Sequence, residues 1–152
     1  MKNVLKNTLK RLERLVQIRQ TYVTAAEAGV KQAEHDVRRL EAADREVAGN
    51  IRITQAGIAY LETATGRDVQ SGERYIKALE TQRKLIQLSL EKATGNLEQR
   101  RQEWTEAMRE QKIVTKLQER RLHQWERADD KAEQKSQDDA SITRYVRARF
   151  EK

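Results

Sequence analysis

The sequence predicts an all-α protein, a long antiparallel hairpin of two helices that pack as a coiled coil. Its 152 residues include no proline and only 5% aromatics, while 36% are charged, a composition typical of long helices rather than sheets. Apolar residues recur at alternating steps of three and four through most of the chain. One stretch, TATGRDVQSGERY at residues 63–75, interrupts this repeat near the middle. Two helices joined by a short turn are therefore expected.

The first helix is predicted at about residues 3–64. Starting at residue 5, alternating steps of four and three reach 17 positions up to residue 61, and we call such a line of positions the seam. Fourteen of these positions are apolar, and the exceptions are Arg19, Asp44 and Thr54. A mean period of 3.5 residues keeps one apolar stripe against a partner helix, which is typical of a left-handed coiled coil. Residues 48–65 carry only Arg52 and Glu62 as charges, which indicates either a tolerated low-charge segment or a partner contact near the turn.

The turn is predicted at about residues 65–72 because glycines occur at both of its ends. Gly66 suits a helix C-terminus, and Asp68 or Ser71 suits the N-cap of the next helix. A connection this short folds two long helices back antiparallel.

The second helix is predicted at about residues 73–148. Twelve of its 17 seam positions from residue 76 to residue 132 are apolar. Residues beyond about 133 have no counterpart in the first helix, so the C-terminal end is expected to project or fray. The whole chain, residues 1–152, is predicted to be a single hairpin domain.

The register is predicted from the order of large, small and polar seam residues. Facing residues are expected to have numbers that sum to 137, so that Leu61 faces Ile76 and Leu12 faces Trp125, although registers one heptad away also remain open. The predicted seam residues are Leu5, Leu9, Leu12, Val16, Val37, Leu40, Ile51, Ile58, Leu61, Ile76, Leu79, Ile86, Leu90, Leu97, Trp104, Val114 and Trp125.

Several classes of function are disfavoured by the composition. The absence of cysteine excludes a disulfide scaffold and agrees with a reducing compartment. Neither a signal-peptide segment nor a run of about 18 apolar residues occurs, so a soluble, cytoplasmic protein is expected. His35 and His123 lie off the seam, and Walker A, H-E-x-x-H and G-x-G-x-x-G motifs are missing. We expect no enzyme activity, no catalytic residue, no metal site and no cofactor.

Both ends of the chain are basic. Residues 1–20 hold six basic residues against one acidic residue, and residues 144–152 hold four against one. Such ends suit an acidic partner surface, nucleic acid or a membrane face.

The second half of the chain resembles a known family. Three segments carry the resemblance: GRDVQSGERYIKALETQRKLI, EWTEAMREQKIVTKLQERRLHQW and EQKSQDDASITRY. Their order and spacing resemble those of the FliJ-like stalk proteins of flagellar type III export, which have YscO-like relatives in virulence injectisomes. The first helix shares only the pattern, in RLERLVQIRQ followed by KQAEHDVRRL.

The resemblance implies an antiparallel hairpin that inserts into a hexameric export ATPase, promotes its assembly or activity, and contacts the cytoplasmic part of a membrane-embedded export gate. Some members also handle export chaperones. Such a protein reaches the inner membrane only through its partners. Tyr75, Leu79, Gln82 and Ile86 are the candidates for gate binding that the resemblance implies. Flagellar and injectisome membership both remain open at this point.

The open end of the hairpin is the candidate ATPase-binding surface, because outward basic residues gather there. The candidates are Lys6, Lys10, Arg11, Arg14, Arg120 and Arg127. The alternative function is a basic coiled coil that binds nucleic acid through phosphates. The alternation of basic and acidic residues in the second helix favours a solvated, salt-bridged face instead, and no nucleic-acid partner is expected.

Overall fold

A computed structural model describes residues 2–60 and 65–151, and almost all of them are helical. Helix α1 spans Lys2–Ala59 and helix α2 spans Gly66–Phe150, and the described residues contain no strand. The two helices pack against each other, so the predicted all-α, two-helix hairpin fold is confirmed. Leu61, a predicted seam residue, lies outside the described residues.

The chain forms two compact units, each made of part of α1 and part of α2. We call Thr24–Thr105, which includes the turn, the turn unit. The segments Met1–Val23 and Glu106–Lys152 together form the end unit. Neither segment of a unit could bury its apolar stripe alone, because helices of this polarity gain most of their stability from packing.

The helix boundaries on either side of the turn differ from the predicted ones. Helix α1 ends at Ala59 rather than near residue 64, and residues 66–72, predicted as turn, form the first two turns of α2. The physical reason is a capping box at the start of α2. Thr65 Oγ1 accepts a hydrogen bond from the Asp68 N–H at 3.3 Å, and Asp68 Oδ2 accepts one from the Thr65 N–H at 3.3 Å. Thr65 is therefore the N-cap, in place of Asp68 or Ser71.

Gly72 serves packing rather than chain reversal. It lies within α2, and a Cβ added to it would come within 2.6 Å of Ile58 Cδ1 and 2.9 Å of Ile58 Cγ1. A glycine at this position lets the first turns of α2 approach the last turns of α1 closely.

The core of the turn unit consists of two clusters along the seam. One contains Val30, Ala33 and Leu97, with Val37 and Trp104 packed against it. Its alternation of a small alanine with a large indole is typical of interdigitated helix packing. Trp104 is therefore part of the packing between the two helices.

The second cluster lies nearer the turn. It contains Val47, Ile51 and Leu79, with Ile76 and Ile86 packed against it. Every hydrophobic member of both clusters lies at one of the positions that the alternating steps of three and four reach in residues 5–61 and 76–132, including Val30, Ala33 and Val47, which the list of predicted seam residues does not name.

In the end unit the seam is thinner. Leu12 and Val23 are buried, whereas Leu5, Trp125 and Ala128 are only half-buried. Among the described residues, two buried hydrophobic side chains therefore lie in the end unit and six in the turn unit.

The register differs from the predicted one by one heptad. In the turn unit, Gly72 approaches Ile58, and Ile51 shares a cluster with Leu79, and the residue numbers of each pair sum to 130. In the end unit, Lys2 pairs with Asp129 and Arg19 with Glu110, with sums of 131 and 129. The predicted sum of 137 is therefore wrong, and Trp125 lies level with Leu5 rather than with Leu12.

A polar contact across the helices favours this register. Apolar stripes with a heptad repeat match equally well after a shift of seven residues, so they cannot select one register. Asp44 and Arg83 are two of the polar exceptions in the seam, and they form an ion pair at 3.0 Å. A shift of one heptad would separate these half-buried charges and leave each without its partner, which costs free energy.

Cysteine pairs in the end unit test the register. Leu12→Cys with Gln118→Cys is expected to cross-link efficiently within one chain through a short thiol reagent, because these positions lie level when residue numbers sum to 130. Leu12→Cys with Trp125→Cys is the matched control, because its positions are separated by about seven residues, or roughly 10 Å, along the helix axis. Gel mobility under non-reducing conditions reports the product. Preferential cross-linking of the control pair would restore the register that sums to 137.

The C-terminal end of α2 is helical rather than frayed. The helix continues to Phe150, and residues 131–151 are all exposed. In the end unit the pairing of Lys2 with Asp129 places the start of α1 level with residue 129 of α2. Residues 133–150 consequently project past the start of α1.

Candidate partner-binding surfaces

The net charge of the protein lies entirely in the end unit. The turn unit, residues 24–105, holds 13 basic and 13 acidic residues, whereas the end unit holds 18 basic and 11 acidic residues. The difference of seven accounts for the whole formal net charge of +7. An electrostatic attraction to an acidic partner is therefore strongest at the end unit.

The six basic residues proposed for ATPase binding all belong to the end unit and are all exposed. They are Lys6, Lys10, Arg11 and Arg14 on α1 and Arg120 and Arg127 on α2. None of them forms an ion pair or side-chain hydrogen bond with another residue in the part of the chain that the structure describes. Their charges are thus available to a partner.

Two other basic residues of the end unit are engaged within the hairpin. Arg19 Nη1 lies 2.5 Å from Glu110 Oε2, and its guanidinium also lies 5.9 Å from the centre of the Tyr22 ring. Lys2 donates a hydrogen bond to Asp129, and this bond, followed by the charge of the same carboxylate, raises the pKa of Lys2 above its usual range. These two side chains stabilise the pairing of α1 with α2 rather than presenting free charge.

The four residues proposed for gate binding do not share one surface. Tyr75 and Gln82 are exposed, and 53% of Tyr75 is accessible. Leu79 is buried in the cluster with Val47 and Ile51, and Ile86 packs against the same cluster. Leu79 and Ile86 thus contribute to the packing between the helices, and Tyr75 and Gln82 are the exposed members of the set.

An exposed apolar patch on α2 of the turn unit was missed by the sequence analysis. Leu85 and Leu88 are 62% and 56% exposed, and they lie in the charge-free run LIQLSL at residues 85–90. Ile86 and Leu90 of this run lie on the seam, so the whole run was attributed to the seam although Leu85 and Leu88 lie off it. The feature of the sequence that could have indicated this patch is the absence of charge on every face of the helix in residues 85–90.

A second apolar stripe, also missed, lies on the projecting part of α2. Ile142, Tyr145 and Val146 are 61%, 65% and 43% exposed. Their spacing of three and four residues places them on one face of the helix. The predicted heptad seam ends at residue 132, before this stripe begins.

The described residues offer little for catalysis. His35 and His123 are both exposed, and no group of three or more His, Cys, Asp or Glu residues that could hold a metal ion occurs within residues 2–60 and 65–151. An open groove of about 390 Å³ beside Val37 and Leu97 is bordered mainly by charged side chains. Because it is open to solvent, it lacks the enclosing walls of a typical substrate pocket.

Among the described residues, neither helix contains a segment of sufficient length and apolar character to cross a membrane.

Comparison with known proteins identifies the family of the chain. No curated protein and no solved structure matches the chain. The family model described as Flagellar FliJ protein matches residues 8–150, which is nearly the whole chain and includes both helices. The chain therefore belongs to the flagellar FliJ protein family, whose members are structural components of flagellar type III protein export.

Proposed function

We propose that this protein is a central stalk that couples a hexameric export ATPase to the export gate. In this proposal the end unit inserts into the ATPase ring and promotes its assembly or activity, and the turn unit contacts the cytoplasmic part of the gate. The observation that carries it is the concentration of the whole net charge of +7 in the end unit. The basic end unit is therefore suited to an electrostatically steered contact with an acidic partner, and the neutral turn unit is not.

The exposed charges also suit a stalk that must follow a changing ring. Ion pairs in solvent are individually weak, typically below about 1 kcal/mol, so several of them can break and re-form as the ATPase subunits change state. A large dry apolar contact would bind one state of the ring more tightly than the others and oppose the cycle. Lys10, Arg11 and Arg14 are exposed and have no ion-pair partner among the described residues, so they suit a contact made of several weak ion pairs.

The turn unit has features that suit a different partner. It has no net charge, and it presents the exposed apolar side chains Leu85 and Leu88 together with Tyr75. A neutral surface with apolar and aromatic side chains is typical of a protein contact. We assign the export gate to this unit, and export chaperones remain a further partner implied by the family.

The test of this function is hydrolysis of ATP by the flagellar export ATPase with and without the chain. We expect the chain to raise the rate and the hexameric fraction, and we expect the effect to weaken as salt rises, because exposed charges are screened over about 10 Å at 0.1 M salt. No stimulation, together with binding to nucleic acid whose affinity falls steeply with salt, would instead establish the alternative of a nucleic-acid-binding coiled coil.

The gate contact is tested by a double substitution. Tyr75→Ala with Gln82→Ala is expected to weaken binding to the cytoplasmic part of the gate about tenfold, because an exposed tyrosine at an interface commonly contributes about 1–2 kcal/mol. Neither side chain is in the core, so the melting temperature is expected to change by less than about 2 °C. Calorimetric titration measures the affinity. Unaltered affinity would remove these two residues from the gate contact.

A further inference from the structure

The projecting part of α2 carries an apolar stripe flanked by opposite charges. Ile142 and Tyr145 are adjacent on one face of the helix, with Asp138 four residues before the first and Arg149 four residues after the second. Steps of four, three and four residues continue a heptad stripe, so these four side chains form one line along the helix. Residues 131–151 are all exposed, so α1 does not cover this line.

The two charges at the ends of the stripe have no ion-pair partner among the described residues. Within the described ranges, Asp138 and Arg149 form no ion pair with any residue. About 60% or more of both Ile142 and Tyr145 is exposed. A surface of this kind, apolar in the middle with one free charge of each sign at its ends, is complementary to a copy of itself turned end for end.

We propose that this stripe is the contact surface for a second copy of the chain, paired antiparallel through residues 138–149. In that pairing Ile142 of one copy lies level with Tyr145 of the other. The same register brings Asp138 of each copy level with Arg149 of the other. A two-fold axis between residues 143 and 144 relates the copies, so each favourable contact occurs twice.

The charges in the stripe argue against a lipid surface as the occupant. A membrane-binding helix keeps its acidic residues off the apolar face, because anionic lipids repel carboxylates. Here Asp138 lies on the line of the apolar residues, and Asp139 lies beside it. Arg149 of a second copy can form an ion pair with Asp138, whereas an anionic bilayer cannot.

The contact is small, so the pairing is expected to be weak and reversible. It involves about three turns of helix from each copy, which places it below the roughly 1,200 Å² of a standard stable interface. The apolar pair would supply most of the affinity, and the two ion pairs would select the antiparallel orientation, since like charges are brought together in the parallel one. While formed, the pair would cover the stripe against any other partner.

Charge reversal offers a sharp test, measured by sedimentation of the full chain from micromolar to millimolar concentration. The chain is expected to show reversible dimer formation that weakens as salt rises. Asp138→Arg alone and Arg149→Asp alone are each expected to weaken dimer formation at least about tenfold, because each places like charges together twice. Mixing the two single variants is expected to restore the dimer, since every facing pair is then again of opposite charge.

The control is Arg147→Asp, which makes the same change of charge as Arg149→Asp on the opposite face of the helix. It is expected to leave dimer formation nearly unchanged. Circular dichroism of each variant verifies that α2 stays helical. A chain that remains monomeric at millimolar concentration would overturn the proposal. So would a mixture of the two single variants that forms no more dimer than either alone.

Discussion

Reversal of Lys10, Arg11 and Arg14 to glutamate is expected to abolish stimulation of the export ATPase and formation of its hexamer. The three residues are exposed members of the end unit, which carries all of the net charge, and replacing three positive by three negative charges lowers the formal charge of that unit from +7 to +1. Attraction to an acidic ring would then be replaced locally by repulsion, which slows association and weakens binding.

The same reversal is expected to leave the fold intact. None of the three side chains pairs with another described residue, and none is on the seam. Surface substitutions of this kind usually change the free energy of unfolding by less than about 0.5 kcal/mol each. Helical circular dichroism and a melting curve verify this point.

A matched control exists in the turn unit. Arg38, Arg39 and Arg45 are three exposed arginines of α1, and their reversal to glutamate makes the same change in total charge. Stimulation of the ATPase is expected to survive it, as it should survive Arg67→Glu near the turn. Equal loss from both triple variants, or loss from neither, would mean that the basic tip is a solvated surface without a specific role.

Truncation of Leu97 to alanine is expected to lower the free energy of unfolding by about 3 kcal/mol. Leu97 is 8% exposed and packs with Val30 and Ala33, so its removal leaves a cavity between the two helices. For a chain of this size the melting temperature should fall by roughly 6–12 °C. Thermal denaturation followed by circular dichroism measures the change.

Leu88→Ala is the matched control, because it removes the same atoms from the opposite face of the same helix. Leu88 is 56% exposed, so its truncation is expected to cost less than about 0.5 kcal/mol. If gate binding involves the patch that contains Leu85 and Leu88, this variant should weaken binding while keeping its stability. Equal destabilisation by Leu97→Ala and Leu88→Ala would contradict the assignment of faces on α2.

Residue periodicity was sufficient to predict which side of each helix faces its partner. Alternating steps of three and four put Leu12, Val47 and Leu97 on the seam, and all three are buried. That information is local, because a period of 3.5 residues defines a stripe on one helix whatever the partner is. The placement of Trp104 in the core followed from the same period.

The candidate sites were only partly predictable for a related reason. The family resemblance pointed to residues by alignment, and it could not separate exposed Tyr75 from buried Leu79. The basic residues at the open end were easier to identify, because a charged side chain off the seam has no favourable place except the surface. The exposed stripe at Ile142 and Tyr145 lies beyond residue 132, where the predicted seam ends.

By itself, then, the sequence determined an all-α hairpin, the face of each helix that is buried, and the basic character of the chain ends. Only the tertiary structure decided the register and the close packing of Gly72 against Ile58. An apolar heptad stripe is unchanged by a shift of seven residues, so its energy is similar in either register. Contacts between distant residues, such as the ion pair of Asp44 with Arg83, favour the observed register. The start of α2 was set locally, by a capping box of Thr65 and Asp68 that the sequence already contained, so Gly72 lies within that helix.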